Sequence, residues 1–196
     1  KIYKKELYCF ENCDVITTPS EDLKKQLVNL FKLNSKKIFV IPNIIDCDHF
    51  KPSIKIKDKE RFNILHVGRF IKSKGVETLI KAFIQLAIKY DNMHLINVGK
   101  INLETVLECK NWLKDNNLEK RVTFENFVSY ADLPQFYQNA NLVVVPSEIY
   151  ESFSYTVAQG MSCGRIVIGS NIGGIPETLD YGRVGLLFET GDIESL

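Results

Sequence analysis

From Phe62 onward the chain alternates short apolar runs with longer amphipathic stretches. The runs 62–67, 93–98, 122–124, 142–145 and 165–169 are of strand length. Leu142-Val143-Val144-Val145 is unbroken, as in a parallel strand buried on both faces. Between the runs lie helical periods. A helix from Gly75 to about Lys89 turns Val76, Leu79, Ile80, Phe83, Leu86 and Ala87 inward, and one near 103–115 turns Leu103, Val106, Leu107 and Leu113 inward. Leu133, Phe136, Tyr137 and Ala140 line a short helix, another runs through Gln159 and Met161, and a last one opens at Pro176. Strand and helix in regular alternation predict βαβ units, hence an α/β fold with a doubly wound parallel sheet.

The first sixty residues read differently. Val15–Thr18 is a short strand, and Ser20 followed by Glu21 and Asp22 is a helix start with a side-chain cap and an acidic first turn. Leu23, Leu27 and Leu30 give that helix one apolar face. Lys37–Ile41 is a second strand. Residues 44–58 lack helical periodicity and contain Pro52, which predicts a linker.

Composition narrows the function classes. In 196 residues, 45% are apolar, ample for a core, and 25 basic residues against 24 acidic ones leave a net charge near +1. No global field favours nucleic acid or a membrane surface, so an anion site has to be local. The five cysteines are scattered and odd in number, as expected in a reducing cytoplasm. Cys9 and Cys13 can share a helix face, with Cys47, Asp48 and His49 as further candidate ligands, but no recognised ligand spacing appears and no metal is expected.

Three loops are predicted to leave strand ends on one edge of the sheet, where open parallel sheets bind ligands. The first, Gly68-Arg69-Phe70-Ile71-Lys72-Ser73-Lys74-Gly75, brings a planar guanidinium at Arg69 and a mobile ammonium at Lys74, suited together to a diphosphate. The second, from Pro146 to Tyr155, carries Glu151. The third holds Gly173-Gly174-Ile175-Pro176-Glu177. Taken singly these are a solvated basic turn, a helix-dipole acid and a tight turn. Their convergence gives them weight, and the last two also open helices whose free amides favour an anion. His66, His94 and His49 read as packing or solvated residues, and Trp112 as core.

These motifs together resemble the nucleotide-sugar-binding half of the family-four retaining glycosyltransferases. The resemblance is carried by Pro42-Asn43-Ile44-Ile45-Asp46, Val67-Gly68-Arg69 with Lys74-Gly75, Val122–Val128, Pro146-Ser147 with Glu151, and Met161-Ser162-Cys163-Gly164 through Gly173-Gly174-Ile175-Pro176-Glu177. It implies the C-terminal, Rossmann-like half of a GT-B fold, with residues 1–45 as the end of an acceptor domain and 46–196 as a donor-binding domain that stops before its last helices. Arg69 and Lys74 then grip the donor diphosphate and Glu151 meets the transferred sugar. Gly68, Ser152, Phe153, Ser154, Tyr155, Gly173 and Gly174 surround the sugar and phosphates, Asn126 borders the base, and Gln159 occupies the position that faces the ribose.

The chain departs from the family pattern where Gln159 replaces a second Glu, and where Ser152 and Ser154 replace glycines, with side chains expected beside the donor. The activity implied is transfer of a sugar from a nucleoside diphosphate sugar, with retention, to a saccharide or lipid-linked acceptor held by a preceding domain. No cofactor, metal or nucleic acid is implied. The full-length enzyme is expected in the cytoplasm, with peripheral membrane association, and this stretch is expected to be inactive alone. Two alternatives stay open, a non-catalytic nucleotide-sugar-binding module and a sugar-nucleotide epimerase of the same fold.

Overall fold

A computed structural model describes residues 2–53 and 60–196, with side chains from residue 4. The part of the predicted linker beyond Ser53 lies outside the described residues. In chain order the elements are α1 (Ile2–Asn12), β1 (Ile16–Thr18), α2 (Glu21–Phe31), β2 (Ile38–Val40), β3 (Phe62–Val67), α3 (Val76–Ala87), β4 (Met93–Val98), α4 (Leu103–Asp115), β5 (Val122–Glu125), α5 (Leu133–Asn139), β6 (Leu142–Val145), α6 (Tyr155–Ser162), β7 (Ile166–Ser170), α7 (Ile175–Thr178) and β8 (Leu186–Phe188). Among the described residues no helix is long and apolar enough to cross a membrane.

The main sheet has the order β5-β4-β3-β6-β7-β8, with every pairing parallel. This is the doubly wound order, whose switch point lies between β3 and β6. Alternation along the strands assigns the two faces. Ile64, Leu95, Val122 and Val144 pack beneath α3 and α4, while Leu65, Val98, Val143, Val145 and Val167 pack beneath α5, α6 and α7. β1 and β2 form a separate two-stranded parallel sheet joined through α2, itself a small βαβ unit.

Four expectations need correcting. In α4 the inward residues are Thr105, Val106, Cys109 and Leu113, whereas Leu103 and Leu107 are exposed. Two apolar stripes compete on that helix, and packing selects the one through small Cys109 at the expense of the leucines. Leu30 on α2 is exposed, since a two-stranded sheet is too narrow to cover the whole helix face, and Leu86 on α3 is only partly covered. Residues 46–53 are not a free tether. Phe50 is buried and makes edge-to-face contact with Tyr137, its carbonyl accepts from Ser162 Oγ, and the Lys51 carbonyl accepts from Gln138 Nε2 at 2.9 Å.

Candidate functional site

The switch point is built by contact between the first two loops. Residues 72–74 form one 3₁₀ turn that ends at Gly75 with φ +68°. A Cβ at Gly75 would sit 1.6 Å from the Pro146 carbonyl oxygen, so only glycine lets the β3–α3 and β6–α6 loops meet. Two hydrogen bonds fix their register. Glu148 N–H donates to Ser73 O at 3.1 Å, and Thr78 Oγ1 donates to Glu148 Oε1 at 2.6 Å.

The cleft between them holds ≈ 160 Å³ and is lined by His66, Val67 and Gly68 from β3 and its end, Lys74, residues 145–147, Glu151, and residues 154–156 at the start of α6. Lys74 Nζ lies 2.7 Å from Glu151 Oε1, and the same oxygen accepts from Ser147 Oγ. Both members of the pair are largely screened from solvent, with side-chain exposures of 22% and 15%, so this is a positioned pair and not a loose surface contact. Arg69 follows Gly68, is exposed, and has no ion pair among the described residues.

α6 enters the cleft by its N-terminus. Ser154 lines the cleft, is buried, and its Oγ accepts from Val157 N–H as the helix cap. The amides of Tyr155 and Thr156 donate to no acceptor among the described residues. They add partial positive charge beside Lys74.

One lining residue, which the sequence presents as packing, is a histidine. His66 is buried, its Nδ1 lies 3.4 Å from Val144 O, and its Nε2 has no partner among the described residues. Burial pushes its pKa down to about 4, so the ring is neutral near pH 7.

The first two loops thus meet in one strand-end cleft at the switch point, and the sequence holds no Gly-x-Gly-x-x-Gly dinucleotide fingerprint. The family model for glycosyl transferases group 1 matches residues 48–196. The chain belongs to this family.

Among its relatives, mannosylfructose-phosphate synthase of Agrobacterium fabrum is 30% identical over 205 residues, covering 97% of this chain and 45% of that protein. Sucrose-phosphate synthase of Thermosynechococcus elongatus superposes with a TM-score of 0.81 at 28% identity, over 97% of this chain and 49% of that one. Anabaena HepE, solved in complex with UDP-glucose, has a TM-score of 0.79 at 23% identity over 93% of this chain and 51% of that one, a likeness of fold. The chain spans about half the length of the curated relatives it matches.

The remaining family positions distribute unevenly. Gly173 and Gly174 press on the acid-bearing loop: a Cβ on either would lie within 2.4 Å of the Glu151 or Ser152 carbonyl oxygen, and Gly174 N–H donates to Glu151 O at 2.6 Å. That amide is therefore committed to the protein backbone and is not free for an anion. Glu177 reaches away from the cleft, accepting from the N–H groups of Glu21 (2.9 Å) and Asp22 (3.2 Å) and so capping α2 of the first segment. Phe153 packs edge-to-face on Tyr155 beside the half-buried Ser152. Asn126 Oδ1 accepts from Ile101 N–H at 3.3 Å beyond β5, outside the cleft lining.

Gln159 also lies outside that lining, and its Oε1 accepts from the hydroxyl of fully buried Tyr137 at 2.8 Å. Gln159→Ala should remove this acceptor, leaving Thr156 as the hydroxyl's remaining partner, and lower stability by about 1 kcal/mol. Urea unfolding of the two proteins checks it; equal midpoints and slopes would show that the bond contributes nothing.

Proposed function

We propose that this chain is the donor-binding part of a glycosyltransferase that moves a sugar from a nucleoside diphosphate sugar to a saccharide or lipid-linked acceptor, with retention of configuration and without a metal. The observation that carries this reading is the meeting, at one switch point, of the Lys74–Glu151 pair with the free amides at the start of α6. In glycosyl transfer the bond from the anomeric carbon to the diphosphate breaks, and negative charge grows on the leaving oxygen. Lys74, Arg69 and the Tyr155 and Thr156 amides supply fixed positive charge for it, which is the role a metal would otherwise fill. Glu151, held on one oxygen by Lys74 and Ser147, turns its other oxygen toward hydroxyls of the sugar. The mannosylfructose-phosphate and sucrose-phosphate synthases, and HepE with its UDP-glucose, support the substrate class. All five cysteines are free, which supports assignment to the reducing cytoplasm.

A thermal-shift panel of UDP-, GDP- and ADP-glucose in the presence of EDTA tests this. At a hundredfold excess over Kd a ligand that binds only the folded chain adds about 2.7 kcal/mol, or roughly 5–10 °C in Tm for a domain of this size. One nucleotide sugar should produce such a shift without metal. A flat response to the whole panel overturns the reading, and a response that requires added metal overturns its metal-free form.

A further inference from the structure

The cleft contains an unused acceptor. His66 is 3% exposed, its ring lines the same cavity as Lys74 and Glu151, and Nε2 has no partner among the described residues. A buried polar atom left without a partner costs about 1–3 kcal/mol unless something outside the chain satisfies it. The tautomer follows from the other nitrogen. Nδ1 faces the Val144 carbonyl, which only accepts, so Nδ1 carries the proton and Nε2 is a bare, buried acceptor beside Gly68 in the cleft lining.

That lone pair selects its partner. Phosphate oxygens are acceptors and are repelled by it, and they are better served by Lys74 and the α6 amides. Glu151 adds a second acceptor, because among the described residues only its Oε1 is engaged, by Lys74 and Ser147. Two acceptors facing one cavity require a neutral group with several donors. At ≈ 160 Å³ the cavity has room for about five waters, enough for one sugar ring and too little for a whole nucleotide.

We propose that His66 is a specificity-determining residue whose Nε2 accepts a hydrogen bond from a hydroxyl of the transferred sugar, so that it reads the sugar and not the diphosphate. The inference rests on the nucleotide-sugar reading above and names the part of the ligand that His66 meets. Its burial keeps the imidazole neutral and the lone pair available at pH 7.

Calorimetric titration of wild type, His66→Phe and His66→Gln with UDP and with UDP-glucose, and with the GDP and ADP pairs alongside, separates the possibilities. In the pair that binds wild type, His66→Phe should leave the Kd of the diphosphate within about twofold and raise that of the sugar nucleotide about five- to tenfold, the worth of one neutral hydrogen bond. His66→Gln, which restores an acceptor, should recover part of the loss. An equal loss for both ligands, or none for the sugar nucleotide, overturns the role of His66 while leaving the nucleotide reading intact. If no pair binds wild type, the nucleotide reading itself fails. Nitrogen NMR of the wild-type histidines needs no variant. It should show His66 protonated at Nδ1, with the Nε2 resonance moving on addition of the sugar nucleotide but not of the diphosphate. An Nε2–H tautomer, or an Nε2 signal unmoved by the sugar nucleotide, contradicts the proposal.

Discussion

Lys74→Ala is expected to slow sugar transfer about a hundred- to a thousandfold, measured as kcat at saturating donor in a catalytically competent form of the protein. Lys74 Nζ lines the cleft, on the proposed reading facing the charge that grows as the diphosphate leaves, and losing one such contact typically adds ~3–4 kcal/mol to the barrier. Because Lys74 also neutralises Glu151, the variant should lose some stability, so melting must be measured beside turnover. Arg69→Ala provides the control. Arg69 is exposed and unpaired among the described residues, so its removal should change stability by no more than about 0.5 kcal/mol while still weakening diphosphate binding. Near-normal kcat in Lys74→Ala at saturating donor would mean that the ammonium serves the fold and not the reaction.

Acid should destabilise the chain through His66. An ordinary histidine titrates near 6.5, whereas His66 in the folded chain is pushed down to about 4 by burial. Between these values the unfolded chain holds a proton that the folded chain refuses, so folding stability falls as pH drops from about 7 and levels off below about 4. The span of roughly 2.5 units corresponds to about 3 kcal/mol. Carboxylates titrate in the same range, so the quantity to read is the difference between wild type and His66→Phe, from urea midpoints at pH 7, 5.5 and 4. The variant should lack this part of the pH dependence. Parallel profiles would show that His66 is hydrated and free to protonate in the folded state.

Most of the fold was legible because its strands are contiguous apolar runs. Phe62–Val67, Met93–Val98 and Leu142–Val145 need no long-range information to be recognised, and their alternation with helices sets the parallel order. What failed was local choice among equals. Leu103 and Leu107 looked better buried than Cys109, and only the packing of α4 on the sheet decides between the stripes. β8 is three residues long and lies beyond a helix of one turn, too little for periodicity to register.

The site shows the same division. Lys74, Glu151 and Gly68 meet in one cleft because the loops that carry them leave neighbouring strand ends, which topology dictates. Ser154 lines that cleft, and its spacing before Val157 already fits the cap it forms there. Gln159 holds the family's ribose position, and its bond to Tyr137 spans 22 residues that no local pattern connects. His66 reads as packing and is buried as expected, while its place in the cleft lining comes in addition. The usable signal was its place two residues before Gly68, at the end of the strand that feeds the switch point.

The most direct test is a crystal structure of the chain grown with the nucleotide sugar that the thermal panel selects. The diphosphate should lie on Lys74 and the amides of Tyr155 and Thr156, with the sugar against Glu151 between β3 and β6. The same ligand ordered instead in the larger groove of ≈ 520 Å³ lined by Lys110, Lys114, Thr123 and Phe124, with the switch-point cleft empty, would contradict that placement.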